Sequence, residues 1–252
     1  MQTAKETAQQ VYNELYALRG NEEWRKIHAK FFRTGKGQYG EGDVMIGVTV
    51  PNTRMIAKKY ADSPRKTVGA LLSSKYHEMR LCGFLILVIQ YKQTMRRRDK
   101  AAEKTRKQIV DFYLRHAERA NNWDLVDLSA PYLLGDYLRD KADRSILYTL
   151  AADSLLWRRR IAVVSTLMLI RDGYFVDTLR LVCLLASDPH DLMHKAMGWM
   201  LREVGKRDER TLTDFLDEMT PQLPRTTLRY AIERLTPEQR ARYMMLPKAK
   251  FR

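Results

Sequence analysis

The chain is nearly without cysteine, has no long hydrophobic run, shows no strand-like alternation and is short of acid. Its two cysteines, Cys82 and Cys183, each sit inside an apolar run. They read as small buried hydrophobes, which excludes a disulfide framework or a cysteine-based metal knuckle and fits a reducing compartment. Residues 1–14 are polar, so no secretory signal is expected. The longest apolar runs reach about half a membrane span, which predicts a chain that does not cross a bilayer. Thirty acidic residues face 45 basic ones, a net charge of +15. The bases recur along the whole length rather than in a tail, as a folded basic surface requires. That balance points to a polyanionic partner, nucleic acid or an anionic membrane surface, with a generally basic cytosolic protein as the plain alternative.

What is present is helical periodicity. Val11, Leu15 and Leu18 recur at i, i+4, i+7, and Trp24, Ile27, Phe31 and Phe32 mark a second helix. Residues 33–50 hold glycines 35, 37, 40, 42 and 47 and read as a Gly-rich loop. Pro51 suits the first turn of a helix running to about Tyr60, and Pro64 opens a short one. Further helices are expected over 77–92, 99–116, 123–138, 142–151, 155–171, 174–186, 191–204, 208–219, 225–234 and 237–244. No stretch keeps a period of two, so a sheet is not expected, and no linker or charge block separates two domains.

Apolar runs that follow short polar phrases place Arg80, Asp127, Arg160, Lys195 and Arg229 in equivalent positions, at steps of 47, 33, 35 and 34 residues. Paired short helices at that period are the mark of a helical solenoid. The fold expected is all-α, a HEAT-like helical-repeat solenoid (an α-α superhelix) with a concave basic groove. It forms one domain over 1–252, with a loop at 33–50 and a frayed basic tail at 248–252. Four cations and one acid then line one face, and the odd member, Asp127, is where chemistry is to be sought.

Several motifs carry less. Gly35-Lys36-Gly37-Gln38-Tyr39-Gly40 has the spacing of a dinucleotide loop but follows a helical segment, not a strand; a flexible loop with Lys36 near nucleic acid is the better reading. His190 and His194 lie one turn apart, yet Asp191 stands where the zinc-protease motif needs Glu, and Asp188-Pro189-His190-Asp191 reads as a turn and helix cap. No metal or other cofactor is expected. Arg96-Arg97-Arg98 is a loop charge run, either solvated or in contact with phosphate.

Asn121-Asn122-Trp123-Asp124-Leu125-Val126-Asp127 is richer. Asn121 or Asn122 can cap a helix, Asp124 complements its macrodipole, and Trp123 and Asp127 share a face. Alone, the phrase fits a cap, a core tryptophan and an aspartate paired with arginine. Trp199 follows Lys195 by four residues, so one groove is expected to hold Trp123, Asp127, Arg160 and Trp199. Two indoles and a carboxylate on a basic surface suit a cationic group carried on a polyanionic backbone.

These phrases resemble the AlkD-like family of DNA alkylation repair glycosylases, which are built from HEAT-like repeats. The resemblance runs from about 48 to 242. It rests on Val50-Pro51-Asn52-Thr53-Arg54 with Ile56-Ala57, on His77-Glu78-Met79-Arg80, on 122–127, on 157–160, and on Lys195-Ala196-Met197-Gly198-Trp199-Met200-Leu201-Arg202-Glu203. It implies a monofunctional glycosylase that hydrolyses the N-glycosidic bond of N3- and N7-alkylated purines in duplex DNA, reading the lesion from the backbone side without a base pocket. The family's catalytic aspartate falls on Asp127 and its paired tryptophans on Trp123 and Trp199. Its backbone-contacting arginine falls on Arg160, with Arg158 and Arg159 close by. The remaining DNA contacts expected are Arg80, Lys195, Arg229 and Arg159. An alkylpurine is already cationic and leaves neutral, so one carboxylate suffices where ordinary glycosidases use two. At about 4 Å and an effective dielectric near 20, that carboxylate contributes roughly 4 kcal/mol, on the order of a thousandfold in rate. With its cysteines read as reduced and no signal or membrane span expected, the chain reads as cytoplasmic, nucleoid-associated when acting on DNA, and a solenoid with polar ends is by default a monomer. Two other readings stand beside it: a non-catalytic HEAT scaffold for damaged or branched DNA, and an adaptor for acidic peptides.

Overall fold

Thr3 opens the first helix with a capping box, its hydroxyl accepting from the Glu6 amide while the Glu6 carboxylate accepts from Thr3. The structure, a computed structural model, describes residues 3–97 and 99–247. The contacts divide it into two compact units, Met1–Ser129 and Ala130–Arg252, where the sequence reads as one undivided domain. The division falls beside Pro131, and no composition shift announces it.

The first unit holds α1 (Ala4–Ala17), α2 (Glu22–Phe31), α3 (Val50–Lys59), α4 (Arg65–Leu72), α5 (His77–Met95), α6 (Lys100–Arg115) and α7 (Trp123–Asp127). Residues 77–88 of α5 are all buried, because a helix that is apolar all round can only lie in the middle of its unit. Helices α3, α4 and α6 pack on it. Val11 and Leu15 of α1, Leu71 and Leu72 of α4, and Ile109 and Tyr113 of α6 fill the core around it. Helix α2 is the exception. It has no buried residue, although its sequence carries Trp24, Ile27 and Phe31.

The second unit holds α8 (Asp136–Leu138), α9 (Ser145–Ala151), α10 (Leu156–Arg171), α11 (Val176–Leu184), α12 (Asp191–Arg207), α13 (Glu209–Met219), α14 (Arg225–Ala231) and α15 (Pro237–Met245). Helix α10 is its central element, buried throughout 160–170 and packed against α9, α11 and α12. Helices α12 and α14 approach closely at Gly198, where an added Cβ meets the Thr227 carbonyl at 2.5 Å. The Thr227 hydroxyl donates to the His194 carbonyl across the same seam at 3.1 Å.

The helices expected from periodicity are found with small shifts at their ends, except that the one expected over 123–138 is broken after Asp127 and resumes as a π-helical turn and a short helix; among the described residues the only pairing of extended chain is one isolated bridge, Val44 with Tyr76. The chain has the all-helical, repeat-type fold that the sequence predicts. Residues 248–252, expected as a frayed tail, and Arg98 of the arginine run lie outside the described residues.

The Gly-rich loop has two parts: residues 35–38 are exposed, while the later part is anchored, with Asp43, Ile46 and Val48 buried. The Glu78 carboxylate on α5 accepts from the amides of Ile46, Gly47 and Val48 at 2.8, 2.7 and 3.2 Å. A buried carboxylate that collects three amides satisfies donors a loop would otherwise leave orphaned. Gly47 sits at φ +89°, and an added Cβ would lie 2.5 Å from the Arg25 side chain, so no other residue fits there.

Candidate active site

Asn122 starts α7, its side-chain oxygen accepting from the Trp123 amide at 2.9 Å while its Nδ2 donates to the Phe32 carbonyl at 3.2 Å. One asparagine thus caps the helix and joins it to the end of α2. The helix is short for two reasons. Ser129 turns its hydroxyl back onto the Leu125 carbonyl at 2.5 Å. Pro131 has no amide to donate to the carbonyl four residues earlier, that of Asp127, and a π-helical turn, Pro131–Gly135, follows. Asp127 therefore stands where the regular ladder fails, a setting common at functional positions.

Trp123 is held in an aromatic cluster. Its ring stacks on Phe32 at 5.5 Å and 22°, and meets Phe31 edge-on at 5.6 Å. Phe32 also lies 4.9 Å from the His77 ring, and Trp24 lies 4.5 Å from that of His28. These residues bound a cleft of about 460 Å³ that takes in Trp123, Asp124 and Asp127 of α7, parts of α2, α3 and α5, and the loop before α3. Trp123 and Asp127 share its wall, as their one-turn spacing predicts. Within the first unit the wall around Asp127 is aromatic, and among the described residues no lysine or arginine lines it.

Beneath the cleft lies a buried charge network. His77 contacts the Asp43 carboxylate through Nδ1 at 2.8 Å and the Asp124 carboxylate through Nε2 at 2.9 Å. Arg80 completes it, pairing with Asp43 and donating to the Ser74 carbonyl at 3.0 Å. Burial alone disfavours a charged His77, but the Asp124 and Asp43 carboxylates outweigh it and push the ring up to about 10. Burial likewise opposes ionisation of Asp43, and contact with His77 and Arg80 reverses this, holding the carboxyl below its usual range. His28, facing no carboxylate at contact distance, is lowered by burial and stays neutral.

The other expected site residues separate into distinct settings. In register they agree: Asp127, Arg160, Lys195 and Arg229 each lie one turn into their helix, and Arg80 one residue short of that. In exposure they do not. Arg80, expected at DNA, is 2% exposed and bound to Asp43; Arg160 is 4% exposed and donates to the Leu192 carbonyl at 2.5 Å. Both are corrected to interior positions, because their helices are the central ones of the two units. Arg159 is mostly covered and pairs with Asp188 at 2.7 Å, and Arg158 with Asp153 at 2.9 Å. Lys195 is half-buried and pairs with Asp191 at 2.7 Å, while Arg229 is exposed. Trp199, half-buried on α12, donates from Nε1 to Glu203 at 3.2 Å, one turn from Lys195.

His194 Nε2 lies 2.6 Å from the Asp188 carbonyl, and the Asp188 carboxylate accepts from the His190 amide at 2.9 Å, the turn expected there. Among the described residues no cluster of three or more His, Cys, Asp or Glu groups could hold a metal ion, and no helix is long and apolar enough to cross a membrane. Sequence reasoning used Trp24, Phe31 and Phe32 only to mark a helix and did not place them at the site. The missed signal was three aromatic rings on one short helix next to an irregular loop.

An all-helical chain with a tryptophan and a carboxylate one turn apart on the wall of an aromatic cleft defines the class to be compared. The family model described as DNA alkylation repair enzyme matches residues 12–235, and the chain belongs to that family. Among solved structures it is similar to a predicted DNA alkylation repair enzyme from Enterococcus faecalis, with a TM-score of 0.62 and 15% identity over 87% of this chain and 98% of that one. At that identity the likeness speaks for the fold. No curated protein matches.

Proposed function

We propose that this DNA alkylation repair enzyme is a monofunctional glycosylase that releases N3- and N7-alkylated purines from duplex DNA. The observation that carries the proposal is the pairing of Trp123 and Asp127 on one wall of an aromatic cleft. A cationic nucleotide gains from indole and phenyl faces, and the carboxylate gains most where charge develops on the sugar. In the reaction, the bond from C1′ to the purine nitrogen breaks and its electron pair neutralises the ring. Water forms the new bond to C1′ and passes its proton to the Asp127 carboxylate, which returns it to solvent. Asp127 stabilises the oxocarbenium ion and orients that water, and Trp123 holds the lesion nucleotide.

Phosphate contacts fall to the exposed Arg229 and to Lys195 at the surface end of its pair with Asp191, rather than to the interior Arg80 and Arg160. The protein acts as a monomer on DNA in the cytoplasm or nucleoid, reading shape and lesion rather than sequence. The test is Asp127→Asn on duplex DNA carrying N7-methylguanine. Loss of base release with salt-dependent binding retained supports the reading. Binding without release by the wild type on any N3- or N7-methylated duplex leaves a recognition scaffold instead.

A further inference from the structure

A nucleotide in duplex DNA brings its flanking phosphates with it, and phosphate contacts are what hold a protein in register on the backbone. Arg80, the cation that register assigns to the first unit, is interior, and Lys195 and Arg229 belong to the second unit. Among the described residues no lysine or arginine lines the cleft wall around Asp127. The phosphates beside Trp123 therefore call for cations from another element of the same unit, and the first part of the Gly-rich loop carries them.

Residues 33–40 form a closed loop tied to the site. The Gly40 amide donates to the Arg33 carbonyl at 3.0 Å and shuts it. Within it the Gln38 amide donates to the Gly35 carbonyl, and the Gln38 side chain accepts from the Gly35 amide, both at 3.1 Å. Gly40 lies against the junction with α7: an added Cβ would be 2.5 Å from the Phe32 carbonyl and 3.1 Å from Asn122 Nδ2. Asn122 starts α7 and donates to Phe32, whose ring stacks on Trp123. The loop is thus fixed to the helix that presents Trp123 and Asp127.

Its surface is cationic. Arg33 and Lys36 are exposed, and among the described residues no carboxylate pairs with either. The one acid between residues 33 and 42, Glu41, accepts from the Gly37 amide at 2.7 Å. Among the described residues Arg33, at φ +53°, is the one non-glycine in the left-handed region, a conformation that costs energy for a residue with a side chain. Two cations without counter-charge on a loop closed by its own hydrogen bonds suit the oxygens of a phosphodiester backbone.

Resting on the reading of this chain as an enzyme of duplex DNA, we propose that the loop 33–40 is a phosphate clamp, in which Arg33 and Lys36 grip the backbone of the lesion strand beside the nucleotide held at Trp123. The clamp takes the place in the first unit that the interior Arg80 leaves open. It touches backbone and not base, so it adds affinity without sequence preference and needs no pocket for the lesion.

The test is the double variant Arg33→Gly/Lys36→Gln of the intact protein. Its control is Lys26→Gln/Lys107→Gln, which removes the same charge from lysines already paired with Glu22 and Asp111. Glycine suits φ +53° and both loop side chains are exposed, so the loop keeps its shape. Binding is measured across salt on a duplex with a stable tetrahydrofuran at the lesion position, which has no base to release. The loop variant should lose about two units of salt slope, about one for each phosphate contact, and the control well under one. Neutral methylphosphonates flanking the tetrahydrofuran should weaken the wild type on the order of tenfold and leave the loop variant unaffected. A loop variant with the wild-type slope, an equal loss in the control, or methylphosphonates that weaken both proteins alike overturn the clamp. Base release from methylated duplex is followed on the same preparations. Release by the wild type with an unchanged slope in the loop variant removes the clamp and leaves the glycosylase; a lowered slope with no release by the wild type keeps the clamp and removes the enzyme.

Discussion

His77 Nε2 lies 2.9 Å from Asp124 Oδ2, so a buried ring on α5 holds the turn of α7 that carries Trp123 and Asp127. The same ring reaches Asp43 in the Gly-rich loop through its other nitrogen. One histidine therefore ties the loop, the central helix and the site together, and its removal is felt at all three.

His77→Gln is expected to cost roughly 3–5 kcal/mol near neutral pH, the usual cost of leaving buried charges without their partner. The pH dependence follows from the direction of each shift. His77 is raised from 6.5 to about 10, so its contribution is full below the unfolded value and is lost as pH rises through about 10. Asp43 is lowered, so its contribution is present above the ordinary carboxylate range and is lost as pH falls. Urea unfolding of wild type and variant across pH checks this. The gap between them should be widest around neutrality and close on the alkaline side; a gap that grows with rising pH contradicts it.

Glu78→Gln puts an amide where three backbone N–H groups expect a carboxylate. We expect a loss of about 2–3 kcal/mol and faster hydrogen exchange at Ile46, Gly47 and Val48, with slow exchange preserved in α5. Unchanged protection of those three amides shows that the loop is held by something else.

Gly198→Ala drives a methyl into the Thr227 carbonyl and the Tyr230 side chain, both 2.5 Å from the new Cβ. Parting α12 from α14 should cost about 1–3 kcal/mol and disturb Trp199, the next residue. Thermal unfolding together with base release measures both effects. A stable variant with full activity means the seam is looser than its geometry.

Arg229 and Arg80 share a register but not an environment, and the two should separate by assay. Arg229→Ala should lower the salt dependence of DNA binding by about one unit of slope, leaving stability unchanged. Arg80→Ala should instead destabilise the first unit, because Asp43 loses its guanidinium, and alter the slope only through unfolding. Equal salt slopes for wild type and Arg229→Ala assign the phosphate contacts elsewhere.

The helices were legible because most of them bury one apolar stripe, and α5 and α10 stood out as runs apolar on all sides. The repeat register was legible for the same reason: Asp127, Arg160, Lys195 and Arg229 do fall one turn into their helices. Exposure was not legible, since burial depends on which helix becomes central to its unit. A row equivalent in register therefore contains the interior Arg80 and Arg160 and the exposed Arg229. The Trp123–Asp127 pair could be read from spacing alone. The partners of His77 could not: Asp43 lies 34 residues before it and Asp124 47 after, and the loop that brings Asp43 inward looks from its glycines like free chain. The aromatic residues of α2 marked a helix but not a site, because periodicity records a stripe and not what covers it.

The central claim is that Asp127, beside Trp123, cleaves the bond to a cationic purine. Single-turnover release of 3-methyladenine and 7-methylguanine from methylated duplex DNA, for wild type and Asp127→Ala with binding measured in parallel, tests it most directly. The account predicts free base and an abasic strand from the wild type, a loss of about a thousandfold in the variant, and similar binding by both. Equal rates in the two proteins, or no release by either while both bind, contradict it.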